Sequence, residues 1–153
     1  MIRHSTKDDC NKIAELLFLS FSAYEHLYTK KAYQVTIASP EIVLKRIEQG
    51  ACWVYESKNE IAGTLSSKIT EEGLYIYGMA VHPQFRKQKI GWNLLKEAER
   101  SSKQNGISRM YLSTTPFLME AIHLYENFRF LKTCHPPFEL YHTPLFTMER
   151  NAT

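Results

Sequence analysis

Hydrophobic and polar positions along this chain change period several times, and each change marks a predicted element. Ile2-Arg3-His4 is short and extended. Thr6-Lys7-Asp8-Asp9 has the form of a capping box closed by Asp. Beyond it Ile13, Leu16, Leu17 and Phe21 recur at helical spacing and form a core stripe. The pattern loosens from Ser22 to Ser39, where Tyr24, Glu25, His26, Tyr28, Lys30, Lys31 and Tyr33 mix rings with charges. Ser39-Pro40-Glu41 then opens a helix, with Ser as cap, Pro in the first turn and an acid near the positive end. Ile42, Val43 and Ile47 bury one face of it, and Gly50 closes it.

Three strands follow as a meander, Ala51–Glu56, Glu60–Ile69 and Leu74–Val81, turned by Ser57-Lys58-Asn59 and Glu71-Glu72-Gly73. The third is apolar on both sides and suits a central strand: Ile76, Gly78 and Ala80 alternate with Tyr75, Tyr77, Met79 and Val81. Pro83 cannot donate to a ladder, so this strand stops near His82. Next, Ile90, Leu94, Leu95 and Ala98 share one helical stripe, with Lys96, Glu99, Arg100 and Lys103 opposite, and Asn105-Gly106 ends the helix. Arg109–Ser113 reads as a strand, and Thr115-Pro116 caps a helix carrying Ala121, Ile122 and Tyr125. Phe128–Cys134 and Leu145–Arg150 read as closing strands, broken apart by His135-Pro136-Pro137. This α/β alternation argues for a layered sheet with helices on both faces.

With 153 residues the chain fits one domain, 1–153, with a real core. Its 44% hydrophobic and 23% charged residues are ordinary for a soluble globular protein. Apolar runs such as Ile13–Phe21 are interrupted and far short of a membrane span, and Met1-Ile2-Arg3-His4 leads into a polar turn without a signal-peptide core. A net charge of +3 is modest for nucleic acid but suits an anionic cofactor. Cys10, Cys52 and Cys134 are odd in number and widely spaced, which points to reduced thiols in a cytoplasm and to packing rather than nucleophilic roles. His123, His135 and His142 with Cys134 match no standard zinc spacing, so no metal is expected.

The chemistry concentrates between the third strand and its helix. Arg86, Lys87 and Lys89 put three cations into four residues where a helix begins, and helix N-termini carry free N–H groups and partial positive charge. As a charge run this reads equally as a phosphate cradle or as a solvated turn. The order of residues adds to it. Val81-His82-Pro83 followed by Arg86-Lys87-Gln88-Lys89-Ile90-Gly91 resembles the cofactor motif of the GNAT superfamily of acyl-CoA-dependent N-acetyltransferases, Arg/Gln-x-x-Gly-x-Gly/Ala after a strand ending Val-x-Pro. Arg86 and Gly91 match. Lys89 stands where the family usually has its first glycine, and Lys87 often has glycine too; a lysine supplies its N–H there if its φ is negative. Ala121-Ile122-His123-Leu124-Tyr125-Glu126-Asn127-Phe128-Arg129-Phe130 resembles the family's Ala-x-x-x-Tyr-Glu-x-x-Gly-Phe segment, with Arg129 for its glycine and Leu118 where asparagine is common. The resemblance covers essentially the whole chain, the first 50 residues only in pattern.

The resemblance implies a mixed, mostly antiparallel sheet of about six or seven strands with helices on both faces, splayed open beside the central strand to admit acyl-CoA. It assigns the cofactor to Met79, Ala80 and Val81 on the strand and to Arg86, Lys87, Gln88, Lys89, Ile90, Gly91 and Trp92 in the loop. It makes Tyr125 the general acid, although on spacing alone Tyr125 reads as a packing residue beside Ala121 and Ile122. It sets Tyr24, Tyr28 and Tyr75 beside the acceptor, although Tyr24 and Tyr28 taken singly read equally as surface rings that cover the edge of the core. Tyr75 also occupies the position at which some members carry a glutamate base; Glu71, Glu72 or His82 through water, or a water chain alone, are equally open. The expected activity is acetyl transfer from acetyl-CoA to a primary amine of a small molecule or peptide, by direct transfer, in a cytoplasmic protein with a possible homodimer and without nucleic-acid or membrane partners. A regulatory acyl-CoA-binding domain without turnover is the alternative, and an interaction module built on Tyr24–Tyr33 a third.

Overall fold

A computed structural model describes residues 1–151, so the last two positions of the expected domain lie outside the described residues. The order is β1 (Ile2–His4), α1 (Cys10–Phe21), α2 (Lys30–Thr36), α3 (Pro40–Gln49), β2 (Ala51–Ser57), β3 (Glu60–Thr70), β4 (Gly73–Val81), α4 (Ile90–Gln104), β5 (Arg109–Thr114), α5 (Met119–Asn127), β6 (Leu131–Lys132), β7 (Phe138–Leu140) and β8 (Thr143–Asn151). The strands form a mixed sheet in the order β1-β2-β3-β4-β5-β8-β6, with β7 paired to β8. Among the described residues only β4 and β5 run parallel; the other pairs are antiparallel.

Two cores sit on the two faces. On one, Ile90, Leu94, Leu95 and Ala98 of α4 pack with Leu65, Leu74, Ile76, Met110, Leu112, Phe128 and Phe130. On the other, Ile13, Leu16 and Leu17 of α1 and Val43 of α3 close over Cys52, Val54 and Ala80. The helix stripes expected for α1 and α4 are therefore the buried ones; on α3 Val43 is buried and Ile47 packs partly against it, while Ile42, expected on the same face, is exposed. Local signals hold as well: the Ser39 hydroxyl accepts from the Ile42 N–H at 3.3 Å, and the Asp9 carboxylate accepts from the Thr6 N–H at 2.7 Å. Asp9 also pairs with Arg3, at 2.8 Å, which in turn reaches Glu56 and ties β1 to β2. Gly106 ends α4 at φ +68°, conformationally costly for any other residue.

The structure departs from the periodicity in four places. The loosened stretch after α1 is ordered as a short 3₁₀ turn over Ser22–Leu27 and then α2, whose cap is Thr29, accepting from Ala32. The α5 helix starts at Met119 rather than at Thr115-Pro116, because Pro116 and Phe117 are spent in a turn. The expected strand over Phe128–Cys134 shrinks to Leu131–Lys132. An unforeseen hairpin, β7–β8, turns at Tyr141-His142, with φ +46° and +72°. The added strand, β7, brings the count among the described residues to eight.

Candidate functional site

The site grows from an irregularity in β4. Thr64 pairs with Ala80 but Ser66 pairs with Tyr77, so Gly78 and Met79 together face one residue of β3. This is a β-bulge, and Gly78 takes it at φ +58°. An extra residue shifts the alternation by one, so the sequence-based facing is corrected here. Up to the bulge Leu74 and Ile76 face α4; beyond it Met79 and Val81 do, and Ala80 turns to the α1–α3 side with the tyrosines. The same bulge re-aims the strand. β4 and β5 pair only over Leu74–Ile76 with Met110–Leu112, and from Tyr77 onward β4 has no β5 partner. A wedge opens there.

Into that wedge β4 presents backbone. The His82 N–H donates to Ala62 O at 2.8 Å on the β3 side, so by the alternation of the strand the N–H of Val81 points the other way. The Val81 carbonyl accepts from the buried Ser20 hydroxyl at 3.2 Å, a contact from α1 with no signal in sequence. At the mouth of the wedge α4 begins without a side-chain cap. Its first backbone bond within this turn is Asn93 N–H to Lys89 O, at 3.0 Å, which leaves the N–H groups of the preceding turn to an outside acceptor. Gly91 lets this helix end lie close to its neighbours: a Cβ there would stand 2.7 Å from Leu124 Cδ2 and 3.3 Å from Met79 Cε.

The loop lysines adopt a conformation opposite to that expected. Lys87 lies at φ +67° and Lys89 at φ +59°, both left-handed, and Arg129 does the same at φ +72°. The backbone keeps the shape a glycine would take at all three positions, and each side chain bears the Cβ–carbonyl crowding that L-residues avoid. Lys87, Gln88 and Lys89 are exposed, and Arg86 is half-exposed with Nη1 3.6 Å from the Glu120 carboxylate at the start of α5. Ile90 is buried in the core, and the Trp92 ring packs edge-on against Phe128 at 4.7 Å. Thus Ile90 and Trp92 offer backbone to the mouth, not side chains.

Tyr125 sits on the inner face of α5 against Phe130, and burial pushes its phenol up to about 12, with the neighbouring Tyr28 adding to the rise. Burial likewise raises Tyr28 to about 12. Tyr28 meets Phe117 edge-on at 4.8 Å, and Tyr24 stacks on the same ring at 6.4 Å. Tyr24 and Tyr28 therefore belong to one aromatic wall, joined by Phe117, which the sequence did not mark, while Tyr125 packs against Phe130. Tyr75 does not join them. It lies where β4 and β5 are still paired, stacked on Tyr77 at 5.4 Å and tilted against Tyr111 at 5.1 Å, and burial raises its phenol further from a base. Glu71 and Glu72 sit in the β3–β4 turn, six residues of strand or roughly 20 Å from the bulge, too far for direct proton transfer. His82 uses Nδ1 to accept from the Gln84 N–H at 3.1 Å. Among the described residues no group of three or more His, Cys, Asp or Glu side chains gathers, and no helix is long and apolar enough to cross a membrane.

A model of the acetyltransferase (GNAT) family matches residues 12–130. Human N-acetyltransferase 8B is 28% identical over 93 residues, 56% of this chain and 41% of that protein. An uncharacterised N-acetyltransferase of Schizosaccharomyces pombe is 40% identical over 65 residues, 42% of this chain and 37% of its own length. The matches thus span about two fifths of these curated relatives. Among solved structures, the PaiA N-acetyltransferase of Thermoplasma acidophilum in complex with coenzyme A aligns at TM-score 0.84 and 20% identity, covering 99% of this chain and 98% of its own. A putative acetyltransferase of Salmonella typhimurium with its cofactor acetyl-CoA aligns at 0.77 and 18%, covering 100% and 94%.

Proposed function

Because the chain belongs to the GNAT family of acetyltransferases, we propose that it acts as one N-acetyltransferase domain, moving an acetyl group directly from acetyl-CoA to an amine. The observation that carries this is the wedge beside β4 with the uncapped N-terminus of α4 at its mouth. Solved structures of similar fold bound to coenzyme A or acetyl-CoA support the choice of cofactor.

Acetyl-CoA supplies the acetyl group as a thioester. The chain's part begins at the mouth, where the N–H groups of Ile90, Gly91 and Trp92 and the cations of Arg86, Lys87 and Lys89 suit a pyrophosphate. Along β4, the N–H groups of Met79 and Val81 suit the amide arm and carbonyl that would lie beside them, pre-aimed at no reorganisation cost. The aromatic wall of Tyr24, Tyr28 and Phe117 excludes water from the far side. Tyr125 holds its phenolic proton throughout the neutral range and is the donor for the departing thiolate. The acceptor amine must lose a proton before attack; with no carboxylate in contact with the bulge among the described residues, water carries it. This missing carboxylate also sustains a second reading, an acyl-CoA-binding domain without turnover. The free thiols Cys10, Cys52 and Cys134 suit a reducing cytoplasm.

The test is thiol release from acetyl-CoA over an amine panel, with wild type and Tyr125→Phe. Acceptor-dependent release that Tyr125→Phe slows supports the enzyme. Binding without release over the whole panel supports the second reading.

A further inference from the structure

The α1–α3 face of the open sheet carries side chains that acetyl transfer does not itself require. Tyr75 and Tyr77 of β4 and Tyr111 of β5 form a continuous strip of rings. Three cations lie along it. Arg46 of α3 has its guanidinium carbon 5.3 Å from the Tyr77 centroid, Lys68 Nζ is 5.4 Å from Tyr77 and 5.7 Å from Tyr75, and Arg109 sits 4.6 Å over Tyr111. Arg109 is answered by Glu149 at 2.6 Å. Arg46 and Lys68 are not: among the described residues neither has a carboxylate within 4.0 Å, and no hydrogen-bond acceptor engages Arg46.

Arg46 is the unusual member. Its side chain is half-buried, and that burial depresses the guanidinium, with only tyrosines and Cys52 rather than an acid to offset it. A desolvated cation without a counter-charge costs stability, so a ligand that repays the cost is the simplest reason for it. Its position says which ligand. A Cβ on Gly78 would lie 2.6 Å from Arg46 Nη1 and 3.4 Å from Cζ, so the guanidinium covers the bulge itself, beside the backbone that faces the wedge. Glycine at 78 is needed twice, for φ +58° and for this close approach.

We propose that Arg46, seated on the Gly78 bulge and backed by Tyr77, Tyr75 and Lys68, binds a carboxylate of the acceptor, making the substrate an amine that also carries a carboxyl group, as amino acids and their derivatives do. A planar guanidinium with five donors matches a carboxylate two-pronged, and its place on the bulge holds that carboxylate a few bonds from the amine to be acylated. Lys68 adds long-range attraction along the tyrosine strip. That the ligand is the acceptor rests on the acyl-transfer reading; the carboxylate site itself does not.

The experiment therefore uses probes that cannot be acylated. N-acetyl-L-alanine and N-acetyl-L-alanine amide differ only in the carboxylate, and their binding is followed by NMR at the Gly78 amide. The expected result is a saturable shift with the acid, at least tenfold weaker binding of the amide, and loss of the difference in Arg46→Gln, with partial recovery in Arg46→Lys. Arg46→Gln should melt no lower than wild type, since it removes an unpaired cation; a purely structural arginine would lower the melting point and leave acid and amide alike. Equal titration by acid and amide, or an acid response that survives in Arg46→Gln, overturns the proposal. A parallel thiol-release series of α-amino acids against their amides should show the same tenfold preference. If acetyl-CoA fails to bind, the acyl-transfer reading falls alone, because the acid–amide comparison still decides the carboxylate site.

Discussion

Replacing Lys89 by glycine should make the protein more stable and its cofactor grip weaker, two effects from one exposed residue. Lys89 holds φ +59° at the start of α4 with no side-chain cap bond to compensate. The left-handed conformation costs an L-residue about 1–2 kcal/mol. Glycine removes that cost but adds about 0.4–1 kcal/mol of unfolded-state freedom. The net gain is about 0.8 kcal/mol, a rise in melting temperature of roughly 2–3 °C for a chain of this size. Lys89→Ala is the control, since it shortens the side chain yet keeps the strain, and it should be near neutral. The lost cation is an exposed one, so acetyl-CoA binding should weaken by about 1 kcal/mol, roughly fivefold, most visibly at low salt. Chemical denaturation and calorimetric titration of the three proteins read both quantities. Glycine less stable than alanine at 89 would refute the strain. Tighter binding in Lys89→Gly would show that backbone shape, and not charge, governs the phosphate grip.

Other outcomes follow from the same geometry. Tyr125→Phe should lower kcat about 100-fold while leaving acetyl-CoA affinity within twofold, read by steady-state kinetics and calorimetry. Because its folded pKa of about 12 exceeds the ordinary 10.0, the Tyr125 phenol contributes stability that is fully present below pH 10 and lost as pH rises towards 12. Denaturation between pH 9 and 11.5 should show wild type losing stability more steeply than Tyr125→Phe. Asp9 is the opposite case: Arg3 and the Thr6 N–H hold its carboxyl below the usual range, so its contribution is present above the ordinary carboxylate pKa and lost as pH falls through the lower folded value. Asp9→Ala should cost about 2–3 kcal/mol at pH 7 and flatten the acid limb. Gly78→Ala should destabilise by about 1–2 kcal/mol through its positive φ and displace Arg46, raising KM for carboxylated amines more than for acetyl-CoA.

Much of the scaffold was legible because single elements announce themselves. Ser39-Pro40-Glu41 placed α3, and the stripe Ile90–Leu94–Leu95–Ala98 placed α4 and its buried face. Of the expected loop Arg86–Trp92, Arg86–Lys89 precede α4 and Ile90–Trp92 are its first turn. What escaped was set by contacts distant in sequence. The alternation through Tyr75–Val81 is regular on paper, and only pairing with Thr64 and Ser66 reveals the bulge that swaps the faces of Met79, Ala80 and Val81. Arg46 carried no signal in the sequence; it is half-buried because Tyr77 and the Gly78 bulge of β4 lie against it. Phe117 lay in what resembled a helix start, so its place between Tyr24 and Tyr28 was hidden. The left-handed Lys87, Lys89 and Arg129 show the converse, a glycine-like backbone shape at positions where the sequence has no glycine.

The central claim is that the wedge beside β4 and the N-terminus of α4 hold acetyl-CoA. Calorimetric titration of the purified protein with acetyl-CoA, repeated at increasing salt, tests it most directly. The account predicts one-to-one binding that weakens as salt rises, and that weakens further when Arg86 and Lys89 are both replaced by alanine. Absence of binding, or binding indifferent to salt and to the double replacement, would contradict it.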